Sequence, residues 1–99
     1  MIRKKIKLTR KEADSYVIPL GKFNMVAVVT DIGMIGCGMF DVFALDNFDY
    51  PAARLKSDTG GLIADVDDLL TGIVKDANKA AQKRGIEIGM TGAQALDLL

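Results

Sequence analysis

Residues 23–40, which run FNMVAVVTDIGMIGCGMF, decide the fold. The first part, from Phe23 to Thr30, is mostly apolar and rich in β-branched side chains, a composition typical of a buried strand. Asp31 and Gly33 then favour a tight turn, because aspartate caps turns with its side chain and glycine tolerates positive φ. The run from Met34 to Phe40 returns as the partner strand. The stretch therefore predicts a β-hairpin with a buried first strand.

The residues before this hairpin predict further strands. Between Ile2 and Leu8, apolar and basic side chains alternate, as in a strand with two different faces. Residues 11–14 predict a turn. Tyr16 to Ile18 is a second candidate strand, which we expect to end at Pro19. Residues 1–20 therefore predict an N-terminal β arm.

Two short helices are predicted in the middle of the chain. Asp41 is placed to cap a helix over residues 42–47. Asp65 is placed to cap a second helix that continues through Leu70. Further acidic residues fall in the first turn of that helix, where the helix dipole favours negative charge.

The C-terminal part predicts two more helices. Apolar residues recur at helical spacing over residues 73–84, and Gly85 is suited to end that helix as a left-handed cap. A brief strand is expected over residues 86–88. A capping box at Thr91 predicts a final helix over residues 92–99.

Length and composition agree with one folded domain. The chain has 99 residues, of which 49% are hydrophobic and 26% are charged, and this balance excludes intrinsic disorder. We expect a small α+β domain over residues 1–99, with a β arm at 1–20 and an α+β body at 21–99. Its N-terminal strands form a β-hairpin, and short central helices and C-terminal helices complete it.

Missing residue types exclude several kinds of site. The chain contains no His, which excludes Ser/His/Asp and Cys/His catalysis and histidine-ligated zinc. Its single Cys excludes a disulfide within the chain, and an unpaired thiol favours a reducing compartment. Asp31 and Asp41 interrupt the most apolar stretch, which is too short for the roughly 20 residues of a spanning helix. We expect a cytoplasmic protein that does not enter a membrane.

The charges are divided between the two ends of the chain. Residues 1–22 hold seven basic and two acidic side chains, whereas residues 23–99 hold six and eleven. A basic arm of this kind attracts nucleic acid, or it pairs with the acidic body of another subunit. Because the total charge is zero and the chain lacks Trp and an RNA-binding aromatic motif, we expect nucleic-acid binding to be the weaker alternative.

Cys37 is the candidate nucleophile or ligand contact. It lies four residues before the predicted helix cap Asp41, and free N–H groups at a helix start lower the pKa of a nearby thiol. Asp41 is the candidate orienting carboxylate, and Gly36 and Gly38 would let a ligand approach the backbone. The alternative is a packed core cysteine, since no His can take its proton. Gly36, Gly38 and Asp41 match only part of a dinucleotide fingerprint, so no cofactor is predicted.

The acidic residues that open the second central helix admit two interpretations. Asp65, Asp67 and Asp68 have the spacing of a metal-binding loop, but Leu69 and Leu70 occupy positions at which a calcium loop needs an oxygen ligand and a Gly. Helix capping explains all three carboxylates without a metal. We therefore predict no metal site.

Several separated motifs of the chain occur in an order that one family shares. The motif residues are Asp31, Gly33, Cys37, Gly38, Asp41, Val42, Leu69, Leu70, Gly85, Ile86, Ile88, Gly89, Met90, Gly92, Ala95 and Leu96. With these motifs the chain resembles the YunC-like family, bacterial and archaeal proteins classed as a domain of unknown function, over roughly residues 16–99. The resemblance implies an α+β fold, an N-terminal β region that forms tetramers, and no established activity. This chain departs from the family pattern at Ile32 and Ala64, where the family has polar residues.

These observations support three hypotheses. The leading one is a homo-oligomer, with a tetramer favoured, of unassigned biochemical role, in which residues 1–20 pair between subunits. The second is a small-molecule-binding protein or enzyme with a site around Cys37 and Asp41. The third is weak nucleic-acid binding through the basic arm. Whether the protein is an enzyme stays open at this point.

Overall fold

Six strands form one mixed sheet whose spatial order follows the chain order. The computed structural model describes residues 1–8 and 10–99. Neighbouring strands are antiparallel except for the fourth and fifth, which are parallel. The strands are β1 (Ile2–Lys7), β2 (Glu12–Leu20), β3 (Phe23–Val29), β4 (Met34–Gly36), β5 (Ala52–Lys56) and β6 (Ile73–Ala77).

Short helices complete the fold and confirm the α+β prediction. They are a 3-10 helix (Ala44–Phe48), α1 (Val66–Thr71), α2 (Lys79–Lys83) and α3 (Gly92–Asp97). The predicted caps at Asp65 and Thr91 are confirmed: Asp65 accepts a hydrogen bond from the Asp68 N–H at 2.8 Å, and Thr91 forms a capping box with Gln94. The central helix is a 3-10 helix, and it begins at Ala44 rather than at residue 42.

The hairpin predicted from residues 23–40 is confirmed as β3 and β4, although β4 ends at Gly36 rather than continuing to Phe40. Its turn is closed by a hydrogen bond from the Thr30 N–H to the Gly33 carbonyl at 2.8 Å. Gly33 has a second role, because the carbonyl oxygen of Pro51 occupies the place that a Cβ there would take. The lack of a side chain thus lets the chain before β5 approach β4, and Met34 donates its N–H to that same Pro51 oxygen at 3.0 Å.

The two faces of the sheet are covered unequally. On the inner face, α1 and α3 pack against the sheet around the buried side chains of Ile35, Leu55, Leu69, Val74 and Leu96. The outer face carries a smaller cluster. It consists of Ala27, Met34 and Ala52 from three strands and of Val42, which lies in the segment that connects β4 to β5.

The helix predicted over residues 73–84 is wrong in its first part. Ile73–Ala77 is strand β6, and only Lys79–Lys83 is helical. The reason is a bulge against β5: Arg54 pairs with Asp76 and Leu55 pairs with Val74, so Lys75 has no partner. The bulge lets Val74 and Ala77 both be buried, which gives the strand the three-residue spacing of a helix.

Two further expectations need correction. Residues 86–88 form no strand, because Ile86 turns inward and Gly89 adopts φ +97° in a turn. The turn predicted over residues 11–14 is also misplaced along the chain, since strand β2 already begins at Glu12. Residue 9 of the predicted arm lies outside the described residues, and the division into arm and body stays a prediction.

Strand β2 continues through Pro19, at which it was expected to end. A proline has no N–H to donate to a neighbouring strand. It is tolerated here because β1 reaches only as far as the pair Ile2 and Val17, so β2 extends beyond its neighbour at Pro19.

The buried amide of Asn78 ties the connection between β4 and β5 to the rest of the fold. Asn78 is fully buried, and its Oδ1 accepts hydrogen bonds from the N–H groups of Ala52 at 3.1 Å and Ala81 at 2.9 Å. Its Nδ2 donates to the carbonyls of Val42 at 2.9 Å and Tyr50 at 2.8 Å. One side chain therefore joins the connection, β5 and α2.

We predict that Asn78→Ala lowers the free energy of unfolding by about 3 kcal/mol or more, because four backbone groups lose a hydrogen bond and each buried group left without a partner costs about 1–3 kcal/mol. The matched control is Asn47→Ala, since Asn47 is exposed in the 3-10 helix; it should change stability by less than about 0.5 kcal/mol. Urea unfolding of both variants measures this. Similar midpoints for the two variants would contradict the role given to Asn78.

Candidate functional site

Cys37 extends the pairing of β3 and β4 by one residue. Its N–H donates to the Val26 carbonyl at 3.0 Å, and its Sγ accepts a hydrogen bond from the Val26 N–H at 3.4 Å. The residue is only 4% exposed. The thiol thus serves as the acceptor for a strand N–H, and it also lies in the wall of a cavity.

That cavity has a volume of about 370 Å³ and opens at one edge of the sheet. Cys37 directly follows β4 and Ser57 directly follows β5, and both line it. Because β4 and β5 are parallel, their carboxyl ends meet at the same edge, the position at which open sheets commonly bind ligands. The turn between β2 and β3 and the segment 61–64 form the opposite side.

Apolar side chains make up much of the cavity. Leu55 and Ile63 are buried beside Cys37, whereas Phe23 and Leu62 are 46% and 68% exposed. Asn24 donates its side-chain N–H to the Ala64 carbonyl at 2.9 Å, which ties β3 to the segment opposite. The cavity therefore has a buried apolar floor and an exposed apolar rim.

Three lysines from three different elements also line the cavity. Lys22 lies in the turn before β3, Lys56 ends β5, and Lys75 is the bulge residue of β6. Among the described residues, the lining contains no carboxylate. Sequence reasoning missed all three lysines, because no pattern in the chain signals the parallel pairing or the bulge that brings them together.

The other predicted site residues lie in different surroundings. Gly38 lines the cavity, but Gly36 does not, and the ring of Phe40 packs over Gly36 with Cε2 at 2.8 Å from the place of a Cβ. Asp41 accepts a hydrogen bond at 3.2 Å from the N–H of Ala44, the first residue of the 3-10 helix, but the N-cap of that helix is Phe43 rather than the predicted Asp41. The structure therefore brings Cys37 and Gly38 together at the cavity and places Gly36 and Asp41 outside it.

Three other cavities among the described residues are larger, and the smallest of these, of about 400 Å³, is lined by Leu8, Arg10, Lys11 and Asp97. The remaining two have other properties. One, of about 720 Å³, is bordered by an ion pair between Lys5 and Glu12 at 3.7 Å and by Asp14, which pairs with Arg3 at 3.5 Å. Its charges are thus largely matched within the chain. The other, of about 650 Å³, is a groove between β1 and α1. The cavity at Cys37 is smaller, but it combines an apolar floor with positive charge that the chain leaves unbalanced.

Among the described residues, the remaining titratable groups form no second candidate functional site. Burial raises the pKa of the Tyr50 phenol above its ordinary value of 10.0, and Tyr50 packs against the outer cluster, away from the cavity. Within residues 1–8 and 10–99, no three Cys, Asp or Glu side chains cluster as metal ligands would. Asp65 and Asp68 each accept a backbone N–H at the start of α1.

None of the helices in the described part of the chain is long and apolar enough to cross a membrane. The fold and the cavity instead define a small α+β protein with a lysine-bordered cavity at the carboxyl ends of two parallel strands. Residues 36–99 match a family described as a domain of unknown function, DUF1805. The chain belongs to this family, and the resemblance inferred from its motifs is confirmed.

Two known proteins are similar to this chain. The uncharacterized protein YunC of Bacillus subtilis (strain 168) is 34% identical over 79 residues, which cover 80% of this chain and 77% of YunC. A crystal structure of a protein of unknown function from Thermoplasma acidophilum, TA1206, superimposes with a TM-score of 0.85. It covers 97% of this chain and 89% of its own at 23% identity, so it shows the shared fold.

The two glycines beside Cys37 give a matched pair of variants. We predict that Gly36→Ala lowers the free energy of unfolding by about 1–3 kcal/mol, because the new Cβ overlaps the Phe40 ring. Gly38 has nothing within 4 Å of a built Cβ and does not have positive φ. Gly38→Ala should therefore leave stability unchanged or raise it by up to about 1 kcal/mol. Equal losses in thermal unfolding would show that Phe40 does not set the requirement for glycine.

Proposed function

We propose that this protein binds a small molecule in the cavity at Cys37. The observation that carries the proposal is the cavity itself, since its 370 Å³ falls within the roughly 300–1,000 Å³ range of ligand sites. A buried apolar floor with a few polar side chains around it is the usual composition of such sites. Its place at the carboxyl ends of parallel strands supports the same conclusion.

Binding is favoured over thiol catalysis by the lining residues. A nucleophilic thiol needs access to its substrate and a base to take its proton. Cys37 is only 4% exposed, and among the described residues of the lining there is neither a carboxylate nor an imidazole. Asp41 lies outside the cavity, where it accepts the Ala44 N–H. The Sγ of Cys37 already accepts the Val26 N–H. We therefore assign Cys37 the role of a wall residue and ligand contact.

A blocking variant tests this proposal. Ala64 is exposed and lines both the cavity and the groove between β1 and α1, whereas Asp67 is exposed and lines the groove but not the cavity. Ala64→Trp should therefore fill the cavity without disturbing the core, and Asp67→Trp adds the same ring to the groove alone. We expect a fragment library at millimolar concentration to contain compounds that raise the melting temperature of wild type and Asp67→Trp but not of Ala64→Trp. A ligand present at 100 times its Kd stabilises the folded state by about 2.7 kcal/mol.

Two results would contradict the proposal. One is a library that stabilises none of the three proteins. The other is a set of compounds that stabilise all three equally, because such compounds bind outside the cavity.

We further propose that the protein acts as a cytoplasmic homo-oligomer, assembled through its N-terminal strands. Among the described residues, strand β1 pairs only with β2, so its outer edge has no partner there, and Ile2 is 55% exposed. The groove between β1 and α1 contains apolar side chains, including Ile6 and Leu70. Burying such surface between subunits is favourable by about 25 cal/mol per Å². The resemblance to the family favours a tetramer.

Charge supports self-association over nucleic-acid binding by the arm. Two of the basic residues of β1 are already paired with carboxylates of β2, Arg3 with Asp14 and Lys5 with Glu12. These pairs reduce the positive charge that phosphate groups would meet. Nucleic-acid binding therefore remains the weaker proposal, and the single unpaired thiol supports a reducing compartment.

Light scattering coupled to size exclusion tests the assembly. We expect wild type to elute as an oligomer and Ile2→Glu to elute as a smaller species, because a charge would then be buried at the interface. Ile88→Glu is the matched control, since Ile88 is 73% exposed and lies far from β1 in the chain. A monomeric wild type would contradict self-association. An Ile2→Glu protein of wild-type mass would contradict an interface at β1.

A further inference from the structure

We infer that the ligand of this cavity is an amphipathic anion, a small molecule with one carboxylate or phosphate group and an apolar chain. The inference rests on the proposed binding function and goes beyond it by naming the chemical class. Its basis is the coincidence, in one cavity, of an apolar floor and three lysines that no carboxylate balances.

The lysines supply an excess of positive charge that the chain does not use. Lys22, Lys56 and Lys75 converge from the β2–β3 turn, β5 and β6. Within the described part of the chain, none of them forms an ion pair, whereas Arg3, Lys5 and Arg54 do. Their ammonium groups are therefore available to a ligand. Since a lysine acts as a point charge with rotating donors, it suits a carboxylate or a phosphate equally.

The apolar part of the ligand is indicated by the walls. Leu55 and Ile63 are buried at the cavity, and Phe23, Met39 and Leu62 border it while remaining substantially exposed. Large apolar side chains from three separate segments thus surround one opening. An apolar chain that covered them would remove their surface from water, which is favourable by about 25 cal/mol per Å².

The volume limits the size of the ligand. The 370 Å³ of the cavity corresponds to the liquid volume of about 12 water molecules. A ligand of about a dozen non-hydrogen atoms therefore fills it. The probe 1-octyl phosphate has this size and carries both an apolar chain and a phosphate.

Titration calorimetry below the micelle concentration tests the inference. The probes are 1-octyl phosphate, octanoate, neutral 1-octanol and inorganic phosphate. We expect 1-octyl phosphate or octanoate to bind at least about tenfold more tightly than 1-octanol and than inorganic phosphate, and more weakly as salt rises. Tighter binding of the phosphate or of the carboxylate then distinguishes the two head groups.

Charge variants distinguish the contribution of the lysines to binding from the contribution of the cavity. Lys56→Gln with Lys75→Gln should weaken binding of 1-octyl phosphate about tenfold, because each exposed ion pair contributes modestly. Lys83→Gln, which removes a lysine outside the cavity, should leave binding unchanged. Ala64→Trp should abolish binding of every probe.

Each of the other outcomes is decisive. If 1-octanol binds as tightly as 1-octyl phosphate, and Ala64→Trp abolishes binding of both, the cavity binds small molecules but the inference that its ligand is an anion is wrong. If inorganic phosphate binds as tightly as 1-octyl phosphate, the inference that the ligand has an apolar chain is wrong. If 1-octyl phosphate binds unchanged to Ala64→Trp, or none of the probes binds while other fragments do, the inference is overturned. If nothing binds at the cavity at all, the proposed function fails with it.

Discussion

The amide side chain of Asn78 is the interaction on which the architecture depends. A chain that passes from one strand to its parallel neighbour must cross a face of the sheet, and its backbone carbonyls need donors there. Asn78 donates to two of those carbonyls and accepts from β5 and α2. Asp46 adds two longer contacts to the N–H groups of Lys79 and Ala80. The parallel pair, and with it the cavity at its carboxyl ends, rests on this network.

Local chemistry made part of the fold predictable. The hairpin of β3 and β4 follows from a β-branched run and a short turn, and the caps at Asp65 and Thr91 follow from side chains that bond their own helix. Cys37 was singled out because two glycines flank it, and it does line the cavity. In each of these cases the partners that decide the structure lie within a few residues of one another, where a sequence pattern can display them.

Features set by distant partners were not predictable. The parallel pairing of β5 with β4 depends on Asn78, which accepts the N–H of Ala52. The sequence around Ala52 contains no pattern that indicates this hydrogen bond. The bulge at Lys75 gave β6 the burial spacing of a helix and caused the wrong prediction there. Most of the cavity comes from these long-range features, which is why the sequence pattern points to Cys37 but not to the lysines that line the same cavity.

The order of the strands bears on how the chain folds during synthesis. Because each strand pairs with its predecessor, most loops to be closed are short and their entropic cost is low. Strands β1 to β4 can therefore pair as they leave the ribosome. The pairing of β5 with β4 is different, because the hydrogen bonds that hold the connection between them come from Asn78. This residue follows the last strand and is synthesised after it. The half of the sheet that carries the cavity is thus completed last, and nascent chains that end before residue 78 lack its closing contacts.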